Sequence, residues 1–156
     1  MWRHSLLAAL LLVAIFSISI SAQRAAGPNK RSDRIIAAVR AVLDAQVEAW
    51  NRGDIEGYMA GYRRSEETVF VSGDSLTRGW QTVLARYKKS YDSREKMGRL
   101  TFSDLEITPI GRDAAIAIGR WHLQRAKDEP HGRFTLIFRK TRQGWRIVHD
   151  HTSSAS

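Results

Sequence analysis

Residues 114–152 read AAIAIGRWHLQRAKDEPHGRFTLIFRKTRQGWRIVHDHT. β-Branched and aromatic residues are concentrated in three segments of this stretch, which predicts strands at 114–125, 134–140 and 145–152. A fourth strand is predicted just before them, at 100–110, where a change of phase at 103–104 indicates a β-bulge. Short connections between these segments predict antiparallel hairpins.

Helical periodicity precedes the predicted sheet. From Ser32 to Trp50, apolar residues recur every three or four positions, Ser32 or Asp33 is a candidate N-cap, and Gly53 follows as a C-terminal glycine. Two shorter helices are predicted at 54–61 and 80–91, with a short strand at 68–71 between them. Three helices followed by an antiparallel sheet predict an α+β domain that buries one sheet face against the helices.

Length and composition restrict the class of protein. The chain has 156 residues, a size that supports one domain with a hydrophobic core. It contains no cysteine, which excludes disulfides, thiolate metal sites and a cysteine nucleophile. We also find no glycine-rich phosphate loop and no nucleophile-elbow motif.

The first 22 residues have the pattern of a signal peptide. Arg3 precedes an uncharged apolar run at 6–20, and Ala22 is a suitable small residue for cleavage. The run is shorter than the ~20 residues of a membrane-spanning helix, so an uncleaved membrane anchor is the weaker alternative and no stable span is expected after cleavage. The sequence therefore predicts a secreted or periplasmic protein with a signal peptide at 1–22, a linker at 23–31 and a single domain at 32–153.

The formal net charge of the chain is +9. Basic residues are concentrated in and after the third predicted helix, where Arg86, Lys88 and Lys89 are expected on the outside, and in the last hairpin. No nucleic-acid-binding module is recognisable and export removes the usual polyanion, so we expect no nucleic-acid partner. A solvated basic surface is the simplest interpretation, and attraction to anionic envelope polymers is an alternative.

Several short motifs occur in a characteristic order. They are Trp50-Asn51-Arg52-Gly53-Asp54, Arg78-Gly79-Trp80, Gly119-Arg120-Trp121, and a closing segment from Gly144 to Ser153. In this order and spacing the chain resembles the nuclear-transport-factor-2-like (NTF2-like) superfamily. Within it, the chain is similar to the SnoaL-like, DUF4440-type domains, which include the association domain of calcium/calmodulin-dependent kinase II.

The resemblance implies a fold, and it leaves the activity open. It implies a cone-shaped NTF2-like half-barrel, with three N-terminal helices packed in a curved antiparallel sheet, a pocket between helices and sheet, and a homodimer. The superfamily includes isomerases, dehydratases, cyclases and non-catalytic oligomerisation modules, so function has to be argued from the site.

Arg120 is the first candidate for ligand binding. Strict alternation places it on one strand face with Ile116, Ile118 and His122. A guanidinium on an apolar sheet face requires a partner or an anion, and the kinase association domain has an arginine at the matching position in its pocket. We therefore expect Arg120 to face the pocket, unless Glu48 or Asp150 pairs with it.

Candidates for proton transfer lie on the predicted strands at 114–125 and 145–152. His149 is expected on the face of Trp145 and Ile147, with Asp150 on the opposite face. His149 or His122 are candidate general bases, and Asp150 would qualify if an apolar pocket raised its pKa. The alternative is a structural role for these residues, since the same His-x-His pattern closes the non-catalytic kinase domain.

The remaining candidates are a metal site formed by histidines and a pocket wall formed by aromatic residues. His149 and His151, with His122 as a third ligand, have no further ligand at recognisable spacing, so neither a metal nor another cofactor is expected. Trp50 and Trp80, at helix ends, are expected to line the pocket together with Tyr58. The resemblance implies a further role, since the isomerase branch of the superfamily uses a helix tyrosine as an oxyanion donor, and the phenol O–H of Tyr58 or Tyr62 could supply that hydrogen bond here.

The sequence thus predicts an exported domain that binds a small apolar carbonyl or carboxylate compound. If it is an enzyme, we expect cofactor-free acid–base chemistry of the isomerase, cyclase or dehydratase type. The alternative is a non-catalytic homo-oligomerisation or accessory module of the same fold.

Overall fold

The computed structural model describes residues 29–155, so the predicted signal peptide and most of the predicted linker lie outside the described residues. The elements are α1 (Lys30–Asn51), α2 (Ile55–Met59), β1 (Val69–Ser72), β2 (Ser75–Arg78), α3 (Trp80–Ser90), α4 (Arg94–Met97), β3 (Arg99–Ile110), β4 (Ala114–Gln124), β5 (His131–Thr141) and β6 (Gly144–Ser154). Within 29–155, none of the helices has the length and apolar character that crossing a bilayer requires.

The long helix α1 forms where the periodicity predicts it. It buries one stripe of side chains against the sheet, including Val39, Leu43 and Trp50. Its N-cap is Asn29, whose side-chain oxygen accepts hydrogen bonds from the backbone of Arg31 and Ser32. The prediction of Ser32 or Asp33 as the cap was wrong, because a good cap and two further helical residues precede them.

The short helices are positioned by their first residues. Asp54 caps α2, as predicted, by accepting a hydrogen bond of 2.7 Å from the backbone N–H of Gly57. Gly53, with φ of +88°, adopts the left-handed conformation that ends α1 and allows the chain to turn into α2. The helix α4 was not predicted, since four residues are too few to show a period.

One curled, unclosed sheet of six strands has the order β2-β1-β6-β5-β4-β3. The four long strands pair antiparallel, as predicted, and β1 lies parallel to β6. The strand β2, which forms a hairpin with β1, was missed because Ser75–Arg78 contains a single large apolar residue, Leu76. The predicted α+β architecture, with helices against the inner face of a curved sheet, is confirmed.

Two bulges set which side chains face inward. The predicted bulge in β3 is confirmed by a register shift between Ser103 and Glu106, where Asp104 has φ of +50°. A second irregularity occurs between β5 and β6, where Ile137 pairs with His149 and the next residue, Phe138, pairs with Ile147.

The second bulge changes the phase of β6. Trp145 and Ile147 are buried on the inner face, and after the extra residue at Val148 the next inward side chain is Asp150 rather than His149. The prediction that His149 shares a face with Trp145 and Ile147 was therefore wrong, because it assumed an uninterrupted alternation.

Candidate functional site

A cavity of about 160 Å³ lies between the helices α1 to α3 and the inner face of the sheet. Its walls are mainly aromatic and aliphatic, and include Trp50, Tyr58, Tyr62, Phe70, Tyr87 and Phe134. In the part of the chain that the structure describes, two charged side chains line it, Arg86 and Asp150. A small number of polar groups in an apolar cavity is the usual composition of a small-molecule site.

Asp150 is buried at 3% exposure in the wall of this cavity. The Tyr62 hydroxyl donates a hydrogen bond of 2.6 Å to Oδ2 of Asp150. The Thr152 hydroxyl donates one of 2.6 Å to Oδ1. Within the described residues, no cation forms an ion pair with this carboxylate. Neutral donors therefore hold the carboxylate group in one orientation.

Burial raises the pKa of Asp150 to about 6. The hydroxyl donors of Thr152 and Tyr62, and the charge of His151, act in the opposite direction and limit the rise. A carboxylate with this pKa is mostly ionised at neutral pH and is a stronger base than an exposed aspartate. The arrangement thus provides a base that is poised near working pH.

Four tyrosines surround the same space. The rings of Tyr58 and Tyr87 are 5.3 Å apart, and those of Tyr58 and Tyr62 are 6.1 Å apart. Burial is the main cause that raises the pKa of each of these three phenols, and Asp150 adds to it. Their hydroxyls stay protonated at neutral pH and are available as hydrogen-bond donors. The fourth, Tyr91, stacks on Tyr87.

The two predicted tryptophans have different environments. Trp50 lines the cavity, with its indole N–H donating to the carbonyl oxygen of Met97 at 3.0 Å. Trp80 does not line the cavity, and its indole N–H donates to the carbonyl oxygen of Met59 at 2.9 Å. The prediction was thus wrong in placing Trp80 in the pocket, because the ring is used to pack α3 against α2.

Arg120 lies on the outer face of the sheet and is exposed, so the prediction that it faces the pocket was wrong. The alternation itself was right, but the inward face of β4 is the one with Ala115, Ala117 and Gly119. Small residues are needed there, since a Cβ at Gly119 would lie 2.6 Å from the Phe134 ring. The larger apolar residues of β4, Ile116 and Ile118, lie on the outer face. Their size led to the prediction that this face was the inner one.

The histidines also lie away from the cavity. His122 forms a contact of 3.3 Å with a carboxylate oxygen of Glu129 at the end of β4. His149 is paired with Val69 of β1 and does not line the cavity. Of the three predicted proton-transfer residues, only Asp150 lies in the cavity. Among residues 29–155, no three histidine or acidic side chains are grouped so as to hold a metal ion.

Arg86 and Gln46 are among the lining residues that were not identified from the sequence. Arg86 was assigned to the outside of α3 because of its charge, yet it follows Val83 by three positions, the spacing of one helix face. Gln46 is buried in α1, where its amide donates to the carbonyl oxygen of Tyr58 at 3.0 Å and connects α1 to α2. The sequence signal for Gln46 was its own position, as a polar residue within the apolar stripe of α1.

Comparison with known families agrees with this architecture. The SnoaL-like domain family matches residues 39–156. The chain belongs to the SnoaL-like domain family. No curated protein matches it.

Solved structures of NTF2-like proteins have the same fold as this SnoaL-like domain. An NTF-2 like protein of unknown function from Shewanella oneidensis is 41% identical, with a TM-score of 0.73 over 76% of this chain and 98% of that one. An NTF2-like superfamily protein from Salmonella enterica is 22% identical, with a TM-score of 0.65 over 80% and 93% of the two chains. A ketosteroid isomerase-like protein from Erwinia carotovora is 19% identical, with a TM-score of 0.62 over 77% and 95%.

Proposed function

We propose that this SnoaL-like domain binds a small apolar carbonyl compound in its cavity and moves a proton at the carbon next to the carbonyl, without a cofactor. The observation that carries the proposal is Asp150, a buried carboxylate with a raised pKa in an apolar cavity. The cavity volume suits a single-ring ketone, because an apolar cavity of ~150 Å³ accommodates benzene.

The chemical step uses groups of this chain only. The Asp150 carboxylate takes a proton from the α-carbon, and the electrons of the C–H bond move to form an enolate whose charge is on the carbonyl oxygen. The hydroxyl of Tyr58 or Tyr87 donates a hydrogen bond to that oxygen. Protonated Asp150 then returns the proton to the α-carbon, or to the γ-carbon where the substrate is unsaturated, which gives exchange or isomerisation.

The hydrogen bonds of Asp150 support this role. Tyr62 and Thr152 each occupy one carboxylate oxygen, which orients the group and leaves each oxygen a further lone pair for a substrate proton. One of the structural neighbours is named ketosteroid isomerase-like. At 19% identity that likeness concerns the fold, so it supports the reaction class by analogy alone.

The experiment that tests the proposal is deuterium exchange at the α-carbon of single-ring ketones such as acetophenone, followed by NMR in heavy water. We expect the protein to accelerate exchange over buffer. The Arg120→Met variant serves as a control, since Arg120 is exposed on the outer face, and should exchange at the wild-type rate. An exchange rate equal to that of buffer for every ketone would contradict the proposal.

We further propose that the outer face of the sheet forms a homodimer. Ile118 and Ile137 are 39% and 36% exposed there, and Ile116 lies directly opposite Ile137. These isoleucines adjoin on the outer face, and this small apolar patch supports an interaction surface there. A non-catalytic oligomerisation module remains the alternative function, and this patch is the observation that favours it.

A charge placed in the patch tests the dimer. The Ile137→Glu variant is expected to halve the mass measured by light scattering, because an unpaired carboxylate would be buried at the interface. The matched control is Ala85→Glu, on the exposed side of α3, which should keep the wild-type mass. A wild-type protein that is monomeric at tens of micromolar would refute the dimer.

We also propose that residues 1–22 are a cleaved export signal, which makes the mature protein secreted or periplasmic. The support is the sequence alone, Arg3 followed by the uncharged run at 6–20. The mass of the chain recovered after expression with its leader tests this. A chain that begins at Gln23 supports the proposal, and a full-length chain that stays in the cytoplasm contradicts it.

A further inference from the structure

Among residues 29–155, the positively charged side chain that lines the cavity is Arg86 of α3. It is half-buried, and its Nη1 donates a hydrogen bond of 3.1 Å to the hydroxyl of Thr77. Its guanidinium carbon lies 5.0 Å from the centre of the Phe70 ring. These neighbours hold the head group over the β1–β2 hairpin and use one of its five N–H donors.

Arg86 has no acidic partner among residues 29–155. None of the ion pairs in that range includes it. Asp150, the other charged residue of the cavity, is held by hydroxyl groups instead. A guanidinium that is partly removed from water, with donors to spare, favours a bound anion.

The sheet register places this cation close to the proposed base without contact between them. Thr77 of β2 is paired with Phe70 of β1, and Phe70 is paired with Asp150 of β6. The Arg86 head group lies over β1, beside the Phe70 ring. Since β1 is the neighbour of β6, it lies about 4.8 Å from the strand that includes Asp150. One compact ligand is long enough to reach both residues.

The surroundings of Arg86 are favourable for negative charge. Hydroxyl groups of Ser72 and Ser90 line the same cavity and are hydrogen-bond donors. Arg125, whose guanidinium carbon is 5.9 Å from the centre of the Tyr91 ring, adds a second cation nearby. Both arginines lower the pKa of Tyr91 against the larger effect of burial, which indicates a positive potential at this end of the cavity.

We propose that Arg86 binds an anionic group of the ligand, so that the substrate class is a compact apolar keto acid. The carboxylate accepts hydrogen bonds from Arg86, and the carbonyl and its α-carbon lie against Asp150 and the tyrosines. This inference rests on the proposed function for the carbonyl part and adds the charge. It gives to Arg86 the role that the sequence suggested for Arg120.

The test compares ligands that differ only in charge. The probes are 4-acetylbenzoate and 3-acetylbenzoate, each paired with its uncharged amide of the same shape, and the dissociation constants are measured by calorimetry. We expect the wild-type protein to bind a carboxylate at least about tenfold more tightly than its amide, as is typical of a charge-assisted hydrogen bond.

Three variants separate an anion-binding role from a packing role. Arg86→Met should lose the preference for the carboxylate and keep the wild-type affinity for the amide, whereas Arg86→Lys should retain part of the preference. The matched control is Arg78→Met, which removes an exposed arginine of β2 that does not line the cavity, and should keep the full preference. Thermal unfolding confirms that each variant is folded.

The outcomes distinguish this inference from the proposed function. Equal binding of acid and amide by the wild-type protein, or a preference that survives in Arg86→Met, would overturn the role of Arg86 and leave the proposed function standing. Failure of both members of every pair to bind would count against both. A preference that disappears only with Arg86 establishes the anionic substrate class.

Discussion

Replacement of Asp150 by asparagine is expected to lower the rate of α-proton exchange by a factor of about 100 or more, the usual contribution of a positioned general base. Asparagine has nearly the same shape as aspartate and accepts a proton very poorly. The cavity and its tyrosines therefore stay in place while the base is removed. The measurement is the exchange rate of acetophenone at pH 7, compared with the wild-type protein.

The stability of the same variant shows whether the role of Asp150 is structural. The pKa of Asp150 in the folded protein is about 6, above its unfolded value of ~3.9. Its contribution to stability is therefore fully present below pH ~4 and is lost as the pH rises through 6. At pH 7 the shift corresponds to a cost of about 3 kcal/mol for the ionised group.

We accordingly expect Asp150→Asn to be at least as stable as the wild-type protein at pH 7, and to lose that relative advantage at pH 4. A residue that costs stability at working pH and supports the reaction is typical of functional sites. A variant that is markedly less stable at pH 7, with unchanged exchange, would show that Asp150 is structural and that the proposed reaction is wrong.

Replacement of Trp80 by alanine is expected to destabilise the fold by about 3–5 kcal/mol, the range for removing a buried aromatic side chain. The ring is 5% exposed, its N–H is bonded to the carbonyl oxygen of Met59, and the Arg64 guanidinium lies 4.6 Å from its centre. Its removal leaves a void and takes away one hydrogen bond of the Met59 carbonyl oxygen, which still accepts from the backbone N–H of Tyr62 at 3.1 Å. Urea denaturation measures the loss.

The control for Trp80 is the phenylalanine variant. Trp80→Phe keeps most of the buried ring and loses the hydrogen bond to Met59, so we expect a smaller loss of about 1–3 kcal/mol. Both variants should bind 4-acetylbenzamide with the wild-type affinity when folded. If Trp80→Ala kept its stability and lost that binding, Trp80 would be a ligand residue, as its position at a helix end had suggested.

Local patterns were sufficient to predict most of the fold. The stripe that includes Val39, Leu43 and Trp50 located α1, and the change of phase at 103–104 located the bulge in β3. Each of these signals lies within one element and depends on the period of that element. The parallel pairing of β1 with β6 could not be read in this way, because it joins segments far apart in the sequence.

The errors at the site share one physical cause. Alternation along a strand groups residues by face, but it does not say which face is inside. On β4 the inner face has the small residues Ala115, Ala117 and Gly119, and at Gly119 the side chains of Phe134 and Leu105 fill the space that a larger residue would need. The larger residues, Ile116, Ile118 and Arg120, are therefore on the outer face, against expectation.

Asp150 and Arg86 illustrate a second limit. The bulge at Val148 turns Asp150 inward and His149 outward, and no residue type in β6 marks its position. Arg86 is charged and was assigned to solvent, although its aliphatic stem allows a position at the edge of a cavity. The sequence named Asp150 as a candidate base, but its place in the cavity, like that of Arg86, became visible only when the elements were placed together.

The dependence of α-proton exchange on pH tests the account most directly. We predict that the rate rises with pH with a midpoint near 6, the pKa of Asp150, and reaches a plateau above it. Tyr62→Phe removes a hydrogen bond that lowers this pKa, so its midpoint should move to higher pH. A wild-type rate that follows hydroxide concentration without a midpoint, or a midpoint that persists in Asp150→Asn, would contradict Asp150 as the base.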